Sequence, residues 1–155
     1  MTTPEENKDI VRRLYDEENK GRVDVVDELM SPDFVMHGDA LAPLVKGTEF
    51  VKQSVLGVRQ AFPDLTVTIE DLIAEGDKVT ARLRWRGTHT GDFMGIPGAG
   101  KEMTWTAIAI NRFENGRIVE RWFNADSLGM LQQFGLVPAP GGAPEAAPSG
   151  AGGQG

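Results

Sequence analysis

The chain contains no cysteine, so it forms no disulfide and offers no thiolate to a metal. Histidine is nearly as scarce. The two present, His37 and His89, stand far apart and lack the spacing of a dedicated zinc site. Positive charge is in deficit: 16 Lys and Arg face 23 Asp and Glu, for a net charge of -7. That balance excludes the basic stripe a nucleic-acid surface needs. No apolar run is long enough to cross a bilayer, and the opening residues, MTTPEENKD, are polar and acidic with no signal core. The expected location is the cytoplasm, with neither membrane nor nucleic acid as partner.

What remains is enough chain for one core and one pocket, 155 residues in all. The stretch from Pro138 to Gly155, PAPGGAPEAAPSGAGGQG, is nearly all Pro, Gly and Ala. Without large apolar side chains to bury it cannot offset its ordering entropy. A folded domain is therefore expected over 1–137 and a disordered tail over 138–155.

Helical signals come first. Thr3-Pro4-Glu5-Glu6 combines a capping residue, a proline suited to the first turn and the glutamate of a capping box. Ile10, Val11, Leu14 and Tyr15 then share one helical face, and Gly21 ends the helix. A second short helix is predicted over Val23–Met30, a short strand over Phe34–His37 and a third helix over Thr48–Phe62, stopped by Pro63. The period then changes to two. Leu65–Ala74 and Lys78–Thr88 form a hairpin about Glu75-Gly76-Asp77, and Glu102–Phe113 and Arg117–Ala125 a second about Glu114-Asn115-Gly116. A Gly-rich loop, His89–Gly100, joins the hairpins, and a helix over Asp126–Phe134 follows them. Three helices, four antiparallel strands and a helix make an α+β domain with helices on one face of a bent sheet.

Alternation assigns the strand faces. Ala81, Leu83 and Trp85 share one face, with Arg82, Arg84 and Arg86 on the other. Trp105, Ala107, Ala109 and Asn111 share a face of the third strand, and Val119, Arg121 and Phe123 a face of the fourth. Aromatic rings beside small alanines would line a flat-walled apolar pocket.

Four strings, SPDFVMHGD, AFPDLTVTIEDLIAEGDKV, GTHTGDFMGIPGAGK and NGRIVERWFNADSLGMLQQFG, occur in an order that resembles the SnoaL-like polyketide and ester cyclases. That family lies within the nuclear-transport-factor-two-like superfamily, and the resemblance covers Glu6 to Gly135. It implies a cone-shaped half-barrel, its curved antiparallel sheet wrapped around the N-terminal helices to enclose an apolar pocket. It also implies a homodimer, a hydrophobic polycyclic ligand and acid/base chemistry with no cofactor. Such chemistry needs a base near an acidic carbon and a donor near the oxygen that becomes an enolate.

The resemblance also marks departures. Where the cyclases carry an acid/base aspartate after the last strand's tryptophan, this chain has Phe123 after Trp122. The family's histidine two residues earlier corresponds to Arg121, and a further histidine on the preceding strand to Ala109. Phenylalanine and alanine cannot transfer a proton, and arginine can only donate. The related ketosteroid isomerases place a catalytic aspartate near the position of His37 and an oxyanion-donating tyrosine on the helix that holds Tyr15. His37, oriented by Asp39, and Tyr15 are accordingly the candidate catalytic pair. Trp85, His89, Trp105, Ala109, Arg121, Phe123 and Asp126 are the candidate substrate contacts. His89 has a second reading as a loop residue, and Asp126 as the cap of the final helix. Three functions stay open: an acid/base enzyme acting on a hydrophobic ketone, a non-catalytic binder, and a hydrolytic or hydroxylating relative. The last needs paired carboxylates and an arginine around one water, and no clear Arg-x-Asp stands on a strand here.

Overall fold

The first helix, α1 (Pro4–Asn19), begins at its expected cap. The Glu6 amide donates to Thr3 Oγ1 at 3.1 Å and the Thr3 amide donates to Glu6 Oε1 at 2.8 Å, so two otherwise unpaired donors are satisfied reciprocally. Gly21 leaves the helix with φ of +75°, a conformation that glycine adopts without a steric penalty. In the computed structural model, which describes residues 2–39 and 44–138, the chain falls into two compact units, Met1–Ala125 and Asp126–Gly155. Of the tail expected over 138–155, all but Pro138 lies outside the described residues.

After α1 the first unit contains α2 (Asp24–Leu29), β1 (Met30–His37), β2 (Val45–Lys46), α3 (Thr48–Ala61), β3 (Thr66–Glu75), β4 (Lys78–His89), β5 (Lys101–Glu114) and β6 (Arg117–Ala125). The six strands form one curved, unclosed sheet in the order β2-β1-β6-β5-β4-β3. Every neighbouring pair is antiparallel except β1 with β6, which run parallel. The sheet is thus wider than the four strands of the sequence reading. Of the two strands that widen it, β1 is expected from sequence only over Phe34–His37, because Pro32 and a break in register between Met30 and Val35 interrupt its first half, and β2 is only two residues long. The β5–β6 hairpin turns on Asn115 and Gly116 with φ of 51° and 78°, the two positive angles of a type I′ turn.

Helix faces and strand alternation meet in one core. Val11, Leu14 and Tyr15 of α1 and Val25, Val26 and Leu29 of α2 pack with Val79, Ala81, Leu83, Ala109, Phe113 and Ile118 of the sheet. The opposite face is charged and exposed. There Arg82 bonds Glu70 and Asp71, Arg84 bonds Glu70, and Arg86 bonds Glu102, each at 2.8–3.0 Å.

One predicted face is corrected by a bulge. Arg112 pairs with Glu120 but Phe113 pairs with Ile118, which leaves Val119 as an extra residue in β6. Ile118 therefore takes the buried place expected of Val119, while Arg121 stays on the core face and Glu120 on the other.

The second unit holds α4 (Ser127–Gln133). Asp126 caps it, its carboxylate accepting from the Gly129 amide at 3.0 Å. A Cβ at 129 would stand 2.2 Å from Asp126 Oδ2, so a larger residue there would displace the capping carboxylate.

Candidate functional site

The concave face of the sheet has an aromatic end and a polar end. At the aromatic end Trp85 of β4 and Trp105 of β5 are register partners whose rings stack at 6.3 Å and 9°. Phe123 of β6 meets Trp85 edge-on at 6.1 Å, and Phe62, just past α3, meets Trp105 edge-on at 5.2 Å. His89 is the last residue of β4 rather than the first of a loop, because the strand runs one residue past its predicted end. It is 3 % exposed and stacks on Phe62 at 5.0 Å. The chain beyond it is pinned to the end of α3, where the Thr90 and Gly91 amides donate to the Ala61 carbonyl at 2.9 and 3.1 Å. Between the two ends the floor is low, since Ala81, Ala107 and Ala109 are the inward residues.

The polar end lies six residues along β5 from Trp105, about 20 Å at the usual strand rise. Asn111 and Arg121 are register partners there, 0 % and 6 % exposed. Arg121 Nε donates to Asn111 Oδ1 at 2.7 Å, and its guanidinium carbon lies 5.6 Å from the centre of the Phe34 ring. Arg121 Nη2 is buried and meets no hydrogen-bond partner among the described residues. A buried cation with an unused donor is costly, and an anionic oxygen placed against it would remove that cost.

Two side chains of α1 feel the charge of Arg121. Tyr15 is buried, and its surroundings push its pKa up to about 12, against the lowering effect of the Arg121 charge. It is therefore a proton donor at any physiological pH. Glu18 follows Tyr15 by three residues and is half-buried. Burial pushes its carboxyl up to about 7, and the charges of Arg121 and Arg59 hold it from rising further. Arg59 of α3 is committed elsewhere: Nε donates to the Glu18 carbonyl at 2.7 Å and Nη2 to the Leu65 carbonyl at 2.8 Å. The helical-face reading of the sequence ended at Tyr15 and missed Glu18. The signal was present, because Val11, Leu14, Tyr15 and Glu18 fall at i, i+3, i+4 and i+7.

His37 is not brought to Tyr15. Alternation along β1 turns Phe34 and Met36 into the core and His37 to the convex side. There its Nε2 lies 2.7 Å from Glu120 Oε2, and its ring stacks on Trp122 at 5.4 Å. The Asp39 carboxylate accepts from the Ala125 amide at 3.2 Å. Glu120 also takes a bond from Arg112 Nε at 2.9 Å, and both contacts hold its carboxyl below the usual range. His37, Arg112 and Glu120, with Val35 and Val119, border a recess of 340 Å³. Asp126 belongs to the second unit, where its side chain is the helix cap.

Among the described residues no three His, Asp or Glu side chains gather as a metal site. Nor is any helix among them long and apolar enough to cross a membrane.

Comparison with known proteins adds a family. The sequence profile of the SnoaL-like polyketide cyclases matches residues 8–134. The aklanonic acid methyl ester cyclase DnrD of Streptomyces peucetius is 30 % identical over 131 residues, covering 82 % of this chain and 89 % of that protein. The nogalonic acid methyl ester cyclase of Streptomyces nogalater is 30 % identical over 118 residues, covering 76 % and 88 %. Among solved structures, AclR of Streptomyces galilaeus, to which a hydroxylase role is attributed, superposes with a TM-score of 0.80 at 28 % identity, over 88 % of this chain and 85 % of that one.

Proposed function

The chain belongs to the SnoaL-like polyketide cyclase family, and from that premise we propose that it performs cofactor-free acid/base chemistry on a hydrophobic, polyketide-like carbonyl compound. The reaction is an enolisation that leads to ring closure or isomerisation. Arg121 carries this reading. Its buried, unused Nη2 donor suits an oxygen that gains negative charge during reaction. Asn111 fixes the guanidinium through Nε, and Tyr15, held protonated, is a second donor from the helix side. The apolar part of such a molecule would lie against the stacked Trp85 and Trp105, which share the inward face with Arg121. Rings of this kind contribute by area and by offset stacking, and neither demands a particular substituent pattern.

Phe123 and Ala109 favour a second reading, a ligand carrier that has lost the family's titrating groups. Deuterium uptake from heavy water into tetralone, an enolisable bicyclic ketone, separates the two. Under the catalytic reading the wild-type protein accelerates uptake, and Arg121→Met lowers the rate about 100-fold, the usual scale for one lost oxyanion donor. Tetralone that binds without exchanging, with exchange appearing only in Phe123→Asp, would establish the carrier.

A further inference from the structure

We propose that the Glu18 carboxylate is the proton acceptor of this site, a base delivered by the first helix rather than by the last strand. This rests on the acid/base reading above.

The position follows from the helix. Val11, Leu14 and Tyr15 are buried against the sheet, and Glu18 continues their stripe one turn further. Of the other acids of α1, Glu5 pairs with Lys8, Asp9 with Arg12, and Glu17 with Lys20 and Arg22. Glu18 instead faces the protein, and its carboxylate makes no hydrogen bond to a described residue.

The charges around Glu18 are few and fixed. From β6 there is Arg121, from α3 Arg59, and from α1 itself the Tyr15 hydroxyl. The buried residues that α2, β3 and β4 contribute to the core are apolar: Val25, Val26, Val67, Val79, Ala81 and Leu83 among them. Neither guanidinium is hydrogen-bonded to the carboxylate: Arg59 donates to two carbonyls and Arg121 Nε to Asn111. Glu18 is thus an unpaired carboxyl that stays basic near neutrality, with a cation nearby to receive the negative charge its reaction would create.

Rival bases are excluded by place or chemistry. His37 and Glu120 pair on the convex side. Asp39 is held by the Ala125 amide. His89 ends β4 at the aromatic end, stacked on Phe62, ten residues beyond Val79, the β4 partner of Asn111.

The step balances without a co-reactant. Glu18 takes the proton from the carbon beside a carbonyl. The C–H pair becomes a C=C bond and the C=O pair moves to oxygen, facing Arg121 Nη2–H. The enolate carbon then attacks a second carbonyl of the same molecule, a C–C bond forms, and the new alkoxide takes the proton back from Glu18. In heavy water the carboxyl exchanges and returns deuterium.

The test uses the full chain and its Glu18→Gln and Glu18→Asp variants with tetralone in heavy water across pH. Fluorenone, a tricyclic ketone with no hydrogen to lose, reports binding alone. The expected wild-type exchange rate rises with pH through about 7, the value to which burial pushes this carboxyl, and then levels. Glu18→Gln loses about 100-fold or more and its pH dependence, Glu18→Asp recovers part, and fluorenone affinity is unchanged in both. A carbon NMR titration of the glutamate carboxyls assigns the same midpoint to Glu18. Exchange that persists in Glu18→Gln, or a Glu18 midpoint in the ordinary carboxylate range, overturns the assignment and leaves the acid/base reading standing. No exchange by the wild type overturns both.

Discussion

Replacing Glu18 by glutamine removes a carboxyl that the fold holds at a disadvantage, so the variant is expected to be more stable than the wild type in mildly alkaline solution. In the folded protein the carboxyl titrates at about 7, against 4.5 for a free glutamate. Below the lower value it is protonated whether the chain is folded or not, and folding is indifferent to it. Between the two values the folded protein keeps a proton that the unfolded chain has released. Stability therefore falls as pH rises through that window and levels above it. The full difference corresponds to about 3 kcal/mol. Glu18 retains some contact with solvent, which brings the expected effect down to roughly 2 kcal/mol. Glutamine has the shape of the protonated acid. Urea unfolding at about pH 8 should show Glu18→Gln ahead by roughly that amount, and at about pH 4 the two proteins should coincide. A gain in stability joined to a loss of exchange activity is the signature of a group retained for chemistry. Equal destabilisation by Glu18→Gln at both pH values would refute the reasoning, because it would mean that Arg121 and Arg59 stabilise an ionised Glu18.

Two further outcomes test the frame around the site. Asn111→Leu removes the acceptor of Arg121 Nε inside the core and should cost about 3 kcal/mol in urea unfolding, since it leaves a buried cation without its hydrogen bond. Gly116→Ala places a side chain at φ of 78° in the β5–β6 turn and should cost about 1 kcal/mol in the same assay, with exchange activity retained.

Much of this molecule could be read from its residues, and the failures share a cause. The box at Thr3 and Glu6 and the Asn115-Gly116 turn are local, decided by a few adjacent residues. The courses of β3 to β6 follow from alternation within each strand, with ends shifted by one residue in β3, β4 and β5. His37 was misplaced because its facing depends on how β1 docks beside β6 in parallel, a contact across 83 residues that no local pattern encodes. Val119 was misplaced because one extra residue in β6 reverses the alternation without leaving a mark such as glycine. Arg121 and the aromatic pair were legible, since they stand on strands whose register the hairpins fix. Glu18 was overlooked because a charged residue at a helix end reads as solvated. Only the neighbours supplied by the sheet and by α3 show that it is not.

The proposed chemistry belongs to the concave face of the sheet. The direct measurement is the rate of deuterium uptake into tetralone for Arg121→Met beside His37→Ala, with folding of both verified by circular dichroism. The account predicts about a 100-fold loss in Arg121→Met and a wild-type rate in His37→Ala, whose side chain lies on the convex face beside Glu120. The reverse pattern, with activity lost in His37→Ala and kept in Arg121→Met, would contradict it and move the site to the other side of the sheet.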